Sequence, residues 1–140
     1  MKLLAAVAIA ASMLAAPALQ AQHEASAIHK SQEAARAWLD LVDDGHYAES
    51  WDQAASPFRL AITNASWPAA VRAAREPLGP VRARRLKWAR YTENVPGAPE
   101  GRYVVLEYET RFEHRVSATE TVTPMKDADG TWKVSGYYIR

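Results

Sequence analysis

The segment Glu76-Pro77-Leu78-Gly79-Pro80 divides the chain into two parts with different hydrophobic periodicity. Before it, apolar residues recur every three or four positions, as they do on one face of an amphipathic helix. After it, apolar and polar residues alternate, which is typical of half-buried strands. Two prolines and a glycine within five residues prevent a regular helix from crossing this boundary. Because helices precede strands, the sequence predicts an α+β domain.

The helical part contains three predicted helices. Trp38 and Val42 belong to an apolar stripe at helical spacing, and Gly45 is a natural end for the first helix. The helices are predicted at residues 23–44, at about 47–55 and near 64–76, with a further short turn starting at Ser56-Pro57. We expect the long first helix to pack in the concavity of the sheet that follows.

The β part contains four predicted strands rich in Val, Thr, Tyr and Trp. They cover residues 81–91, 102–112, 115–125 and 131–139. The turn 127–130, with the sequence DADG, joins the last two strands as an antiparallel hairpin, and Gly136 predicts a bulge or bend. The whole pattern therefore predicts three N-terminal helices packed on a curved, mostly antiparallel sheet of about four strands.

The first 21 residues, MKLLAAVAIAASMLAAPALQA, have the pattern of a secretory signal peptide. The apolar run ends at Ala16 and is shorter than the roughly 20 residues of a membrane span. We expect cleavage after Ala21, although an earlier A-x-A site ends at Ala18. Residues 22–140 would then form a single α+β domain in the periplasm or outside the cell. The absence of cysteine excludes a disulfide and a lipid-modified cysteine.

The stretch REPLGPVRARRLKWAR, residues 75–90, carries six cationic side chains and one carboxylate. Residues 57–90 hold eight basic residues and one acidic residue, whereas residues 22–56 hold two basic and seven acidic residues. An acidic segment of similar size is thus available to neutralise the basic one, and we interpret the stretch as an internally balanced, solvated face. Export and the lack of a helix-turn-helix, zinc or RNA-recognition signature argue against a nucleic-acid partner.

No pattern predicts a metal, a cofactor or a covalent nucleophile. The four histidines include no pair four residues apart, the spacing that a helical metal site uses. Asp127 and Asp129 superficially resemble a calcium loop, but the downstream glutamate of such a loop is missing. The sequence contains no G-x-S-x-G elbow and no glycine-rich phosphate loop. We therefore assign no metal site and no cofactor.

Glutamates on the predicted strands are the candidates for acid–base chemistry, because an apolar pocket can raise the pKa of a carboxyl group. Glu107 and Glu109 share the charged face of the second strand, where salt bridges with arginines are the expected role. We assign no catalytic residue, and we keep Glu120, Glu107 and the phenol of Tyr138 as the weaker catalytic candidates.

Glu120 has the surroundings of an inward-facing carboxylate. It shares a strand face with Val116, Ala118 and Val122, which are small or apolar. A buried carboxylate needs a partner, and Arg59 or Arg75 from the helical layer could supply it. We therefore predict a structural ion pair between Glu120 and one of these two arginines.

Aromatic side chains supply either core or the wall of a ligand pocket. Trp38, Trp51 and Trp132 are predicted to be core. In a regular strand over residues 81–91, Trp88 shares one face with Arg84 and Leu86. The predicted ligand-binding residues, at the rim of a pocket, are Tyr47, Trp67, Trp88 and Tyr138.

Four runs along the chain carry a resemblance to a known family. They are AWLDLVDDGHYAESWDQAASPFR, SWPAAVRAAREPLGPVRARRL, PGAPEGRYVVLEYETRF and ATETVTPMKDADGTWKVSGYYIR. In this order they resemble the secreted bacterial family catalogued as domain of unknown function 4019. The order of helices and strands is in turn similar to the nuclear-transport-factor-like cone. The resemblance implies an exported protein with that fold, and it implies no catalytic residues.

Three functional hypotheses follow from the sequence. The first is a non-enzymatic exported module that binds a small apolar ligand or an envelope protein through the sheet's concavity or its exposed face. The second is a cofactor-free lyase, isomerase or hydrolase that uses Glu120 or Glu107 with a tyrosine. The third is a binder of anionic envelope polymer through the basic residues of 82–90. The sequence also leaves a homodimer open.

Overall fold

The structure, a computed structural model, describes residues 15–140. Residues 1–14 of the predicted signal peptide lie outside the described residues, and residues 15–21 are part of a helix. This helix, α1 (Ala15–Asp43), begins earlier than expected and runs through the expected cleavage site. The first buried residue of α1 is Ala27, so its N-terminal turns extend beyond the core.

Three shorter α-helices follow α1, so the described residues contain four α-helices instead of the predicted three, and a 3-10 helix, Glu76–Leu78, precedes the sheet. Gly45 ends α1 as predicted, with a φ of 77° that favours glycine. The structure forms a full helix at Ser56-Pro57, where only a turn was expected, because Asp127 caps it with hydrogen bonds of 3.0 Å from both the amide and the hydroxyl of Ser56. The three helices are α2 (Tyr47–Asp52), α3 (Ser56–Ala61) and α4 (Ser66–Arg75).

A single antiparallel sheet follows, in the strand order β1-β2-β3-β4. Its strands are β1 (Val81–Thr92), β2 (Tyr103–Phe112), β3 (Arg115–Lys126) and β4 (Trp132–Ile139). The predicted α+β class and the four antiparallel strands are confirmed, and each strand boundary lies within one residue of the prediction. The helices cover one face of the sheet, called here the inner face, and the opposite face is called the outer face.

The main core lies between the inner face and the helices. Trp38 is 2 % exposed, and its ring centroid lies 5.9 Å from that of Trp67. Trp38 was correctly predicted as core, whereas Trp51 and Trp132 are partly buried and pack against its edge. The inner face supplies buried side chains at alternate positions, as predicted for β2: Val104, Leu106, Tyr108, Thr110, Phe112, Ala118, Val122 and Val134.

A β-bulge in β1 changes which face its side chains occupy. Leu86 pairs with Tyr108, and Trp88 pairs with Glu107, the residue that adjoins Tyr108 in β2. Two steps along β1 thus correspond to one step along β2, so Lys87 is an extra residue. An inserted residue reverses the alternation beyond it. Trp88 therefore lies on the outer face, whereas Arg84 and Leu86 face inward. The prediction that these three residues share a face is wrong, because it assumed a regular strand.

A second bulge lies in β4, beside the glycine that predicted one. Thr123 pairs with Gly136 and Pro124 pairs with Val134, which leaves Ser135 as the extra residue. Its hydroxyl donates a hydrogen bond of 2.7 Å to the carbonyl oxygen of Thr123. This bulge sets the face of the tyrosines that follow it.

Candidate functional site

The most polar cluster inside the fold surrounds Glu120. Its side chain is fully buried on the inner face of β3. Arg84 donates from Nε to Oε1 at 2.8 Å and from a terminal nitrogen to Oε2 at 3.3 Å. Thr110 donates its hydroxyl to Oε1, and Tyr137 donates its hydroxyl to Oε2. Glu120 thus accepts four hydrogen bonds, about as many as its two oxygens can take.

Arg84 connects this carboxylate to a second one at the end of α1. Its two terminal nitrogens donate to the two carboxylate oxygens of Asp43, at 2.7 and 2.9 Å. Arg75 of α4 donates to Asp43 Oδ1 at 2.7 Å. We call the set Asp43, Arg75, Arg84, Thr110, Glu120 and Tyr137 the inner ion network. Two carboxylates and two guanidinium groups give it no net charge.

The pKa values in the network follow from these contacts. Burial acts to raise the pKa of Asp43, but hydrogen bonds from Arg84 and Arg75 outweigh it and the pKa is lowered. Burial acts to lower the pKa of Arg84, but its two carboxylate partners raise it. Burial and the neighbouring Glu120 carboxylate raise the pKa of Tyr137 strongly. The phenol therefore stays protonated and the arginine stays charged at neutral pH.

The predicted ion pair of Glu120 has a different arginine from the one expected. Arg84 is the cation in contact with Glu120, because β1 and β3 flank β2 and both side chains point inward over Thr110. Arg59 instead lies 5.8 Å from the ring centroid of Trp51. Arg75 belongs to the network only through Asp43 and a hydrogen bond of 3.4 Å to the Tyr137 hydroxyl. The pairing with Arg59 or Arg75 is therefore wrong, although the buried, paired state of Glu120 was anticipated.

The three weaker catalytic candidates do not lie on one face of the sheet. Tyr138 pairs with Thr121 and lies on the outer face, so the tyrosine beside Glu120 is Tyr137. Glu107 also lies on the outer face, where it is 7 % exposed. Its two oxygens contact Lys87 Nζ at 3.5 Å and a terminal nitrogen of Arg140 at 3.2 Å. Glu107 is thus the paired sheet residue that the sequence favoured, with partners from both edges of the sheet.

The four predicted rim residues do not line one pocket. Trp67 is 7 % exposed and belongs to the core, where its indole donates to the Ser50 hydroxyl at 2.9 Å. Tyr47 is partly buried, and the guanidinium of Arg72 lies 5.6 Å from its ring centroid. Trp88 and Tyr138 lie instead on the outer face. Of the four predicted rim residues, Trp67 thus belongs to the core, Tyr47 packs against it, and the other two lie on a surface.

Trp88 and Tyr138 belong to one row that crosses the outer face. Trp88 pairs with Glu107, Glu107 with Thr121, and Thr121 with Tyr138, one residue from each strand. We call these four residues the outer row. Trp88 is 38 % exposed and Tyr138 is 55 % exposed, and they occupy its two ends. The register that aligns them depends on the β1 bulge, so no pattern in the sequence indicated it.

Cations surround the outer row. Arg85 pairs with Glu109, and the guanidinium of Arg90 lies 5.8 Å from the ring centroid of Trp88. Arg82 pairs with Glu113 at 2.9 Å. Every cation of the basic stretch except Arg90 thus has a carboxylate partner among the described residues. Most of these partners are glutamates of the sheet, and only Arg84 and Arg75 reach the acidic helix. The exposed cations of the outer face are Arg85, Lys87, Arg90, Arg111 and Arg140.

Two further observations concern sites that the chain could carry. Among residues 15–140, no group of three or more histidine, aspartate or glutamate side chains is arranged to hold a metal ion. No helix in this described part is both long and apolar enough to cross a membrane.

Comparison with known protein families places the chain. A family model described as "Protein of unknown function (DUF4019)" matches residues 34–137. The chain belongs to this family. The matched region begins within α1 and ends in β4, so it includes the whole inner ion network and nearly all of the sheet. Searches of curated proteins and of solved structures found no match.

Proposed function

We propose that this family member is a non-enzymatic binding module that holds a protein partner on the outer face of its sheet. The observation that carries the proposal is the exposure of Trp88 and Tyr138 at the two ends of the outer row. Trp, Tyr and Arg are the residues most enriched at the energetic centres of protein interfaces, and all three types are present here. Neither aromatic side chain is required by the core.

Neither face of the sheet offers much to an enzymatic alternative. A general base needs a lone pair that is free to accept a proton. Glu120 already accepts four hydrogen bonds and Glu107 contacts two cations. A lyase, isomerase or hydrolase built on either carboxylate would first have to dismantle an ion pair. No observation therefore favours this second hypothesis.

The charges of the outer face favour an acidic partner. Five exposed cations stand against Glu107 and Glu109, and Arg90 and Arg111 contact no carboxylate among the described residues. A second copy that used the same face would bring like charges together, which costs several kcal/mol in an interface. We therefore expect a protein with acidic side chains around an apolar contact, and we treat a homodimer and an anionic polymer as the competing outcomes.

We also propose that the protein is exported and loses residues 1–21. The structure is compatible with this processing, because no side chain among residues 15–26 is buried. Cleavage after Ala21 would shorten the exposed N-terminal turns of α1 and leave the core intact. Mass spectrometry of the protein from the producing cell tests the proposal, and a chain that retains residues 1–21 would contradict it.

Site-specific photo-crosslinking in the producing cell tests the binding face. A photoreactive amino acid replaces Trp88 or Tyr138 in turn, and a matched control carries it at Leu60, which is 88 % exposed on the helical side. We expect one protein adduct of the same mass from both outer-row positions and none from the control. The partner, once purified, should bind the Trp88→Ala variant about 2 kcal/mol more weakly, the loss that is typical of an interface hot spot.

Each competing result has a distinct signature. An adduct at twice the chain's mass would identify a homodimer. Absence of a protein adduct, together with retention on a polyanion column that salt abolishes, would favour the polymer hypothesis. Equal adducts from Leu60 and from the outer row would contradict the proposal. Native mass spectrometry before and after denaturation would separately reveal a retained small ligand.

A further inference from the structure

A small polar pocket lies between α1 and the first two strands, away from the outer face. It has a volume of about 190 Å³, and its floor includes Leu39 and Leu86. At the roughly 30 Å³ that a water molecule takes in the liquid, this volume corresponds to about six waters. The pocket therefore suits a molecule of only a few non-hydrogen atoms.

Tyr108 gives the pocket a hydrogen-bond donor without a protein partner. Its side chain is 9 % exposed, and its hydroxyl makes no hydrogen bond with another residue in the described part of the chain. Burial is the main cause that raises the pKa of Tyr108, so the phenol remains protonated. Its oxygen remains accessible to solvent and has no protein acceptor, so it can donate a hydrogen bond to a molecule in the pocket.

Two charged residues of α1 also line the pocket. Arg36 and Asp40 are four residues apart, yet they form no ion pair with each other or with another described residue. Arg36 is exposed and lines the same pocket as Tyr108. Arg84 lies at the inner end, where Asp43 and Glu120 already neutralise it. The charge left for a ligand is thus that of Arg36, with Asp40 of opposite sign beside it.

We propose that this pocket binds a small carboxylate on a short apolar body, with the carboxylate between Arg36 and the Tyr108 hydroxyl. A guanidinium and a phenol are both donors, and a carboxylate accepts from both. Leu39 and Leu86 contact the apolar body. Asp40 favours a molecule that also carries an ammonium group. The carboxylate is common to simple acids and amino acids, so one member of each class is tested. This site is independent of the outer face.

The experiment compares four probes with the same branched body: isobutyrate, L-valine, isobutylamine and isobutanol. Amide chemical shifts of the ¹⁵N-labelled protein, purified as the cell makes it, are followed up to about 10 mM, because ligands of this size bind near the millimolar range. We expect saturable shifts at Leu86 and Tyr108 for the two carboxylates and none for the alcohol. Tighter binding of L-valine than of isobutyrate would identify the amino acid, and the reverse would identify the simple acid.

Variants separate the pocket from non-specific binding. Tyr108→Phe and Arg36→Gln should each weaken the carboxylate about tenfold, since each removes a hydrogen bond to a charged group. Arg72→Gln, a matched change of an exposed arginine on α4, should change nothing. Thermal unfolding confirms that each variant is folded. Saturable binding of the alcohol or the amine, unchanged affinity in both pocket variants, or absence of carboxylate binding at 10 mM in the unmodified protein would overturn the proposal.

Discussion

Replacement of Glu120 by Gln should destabilise the fold far more than the same replacement at Glu109 on the outer face. The substitution keeps the size of the side chain but removes its charge, and Arg84 then retains only Asp43 as a partner. Removal of one member of a buried ion pair costs about 3–5 kcal/mol, because the other charge stays desolvated. Arg84 is 15 % exposed and keeps one carboxylate, so we expect the lower part of that range, about 3 kcal/mol.

The assays are urea unfolding, which gives the free energy of unfolding, and thermal unfolding, which gives Tm, both followed by tryptophan fluorescence. For a domain of this size, about 3 kcal/mol corresponds to a fall in Tm of roughly 10 °C. Glu109→Gln is the matched control, since Glu109 also pairs with an arginine but is 49 % exposed. Exposed pairs are usually worth less than about 1 kcal/mol. The free energy of unfolding of this control should therefore stay within about 1 kcal/mol of the unmodified protein.

A double-mutant cycle attributes the loss to the pair. If Arg84→Met and Glu120→Gln act on one interaction, the double variant loses clearly less than the sum of the two single losses. Additive losses would show that the two side chains act separately. A Glu120→Gln loss no larger than that of Glu109→Gln would refute the assignment of the inner ion network as the polar centre of the fold.

Three other perturbations test the remaining structural assignments. The pKa of Asp43 is lowered in the fold, so its contribution to the free energy of unfolding should be complete above the unfolded pKa of about 3.9. This contribution should be lost as the pH falls from there through the lower pKa of the folded state. Urea midpoints measured against pH should show the loss, and Asp43→Asn should make it smaller. Ser31→Ala should stabilise the fold by about 1 kcal/mol in urea unfolding, since the Ser31 hydroxyl is buried without a partner, and a loss of stability would contradict that. Gly79→Ala should lower Tm more than Gly130→Ala, because both glycines have positive φ but only at Gly79 would a Cβ come within 2.9 Å of the His114 ring; equal effects would refute the steric argument.

Several features of the fold were predictable because their signals are local. Proline and glycine at residues 76–80 separate the helices from the strands in both the sequence and the structure. Alternation within β2 identified its buried face, since successive side chains of a regular strand point in opposite directions. The inward orientation of Glu120 followed in the same way from Ala118 and Val122. These predictions needed no knowledge of what lies opposite each residue.

Predictions failed where an unmarked irregularity intervened. Lys87 resembles its basic neighbours, and nothing local indicates that it is the extra residue of a bulge. The bulge turns Trp88 outward while Arg84 faces inward to Glu120. For this reason the predicted strand face was wrong and the sequence did not predict the outer row. Tyr137 and Tyr138 are adjacent residues of the same type, and only the register of β4 shows which of them lies on each face.

By itself, the sequence determined the fold class, the number of strands and the paired state of the buried carboxylate. The first two depend on hydrophobic periodicity, and the third depends on the cost of leaving a buried charge without a partner. The tertiary structure decided which arginine meets Glu120 and which aromatic residues form a surface. Those contacts join residues far apart in the chain. They depend on the strand register, and one extra residue in a strand changes that register.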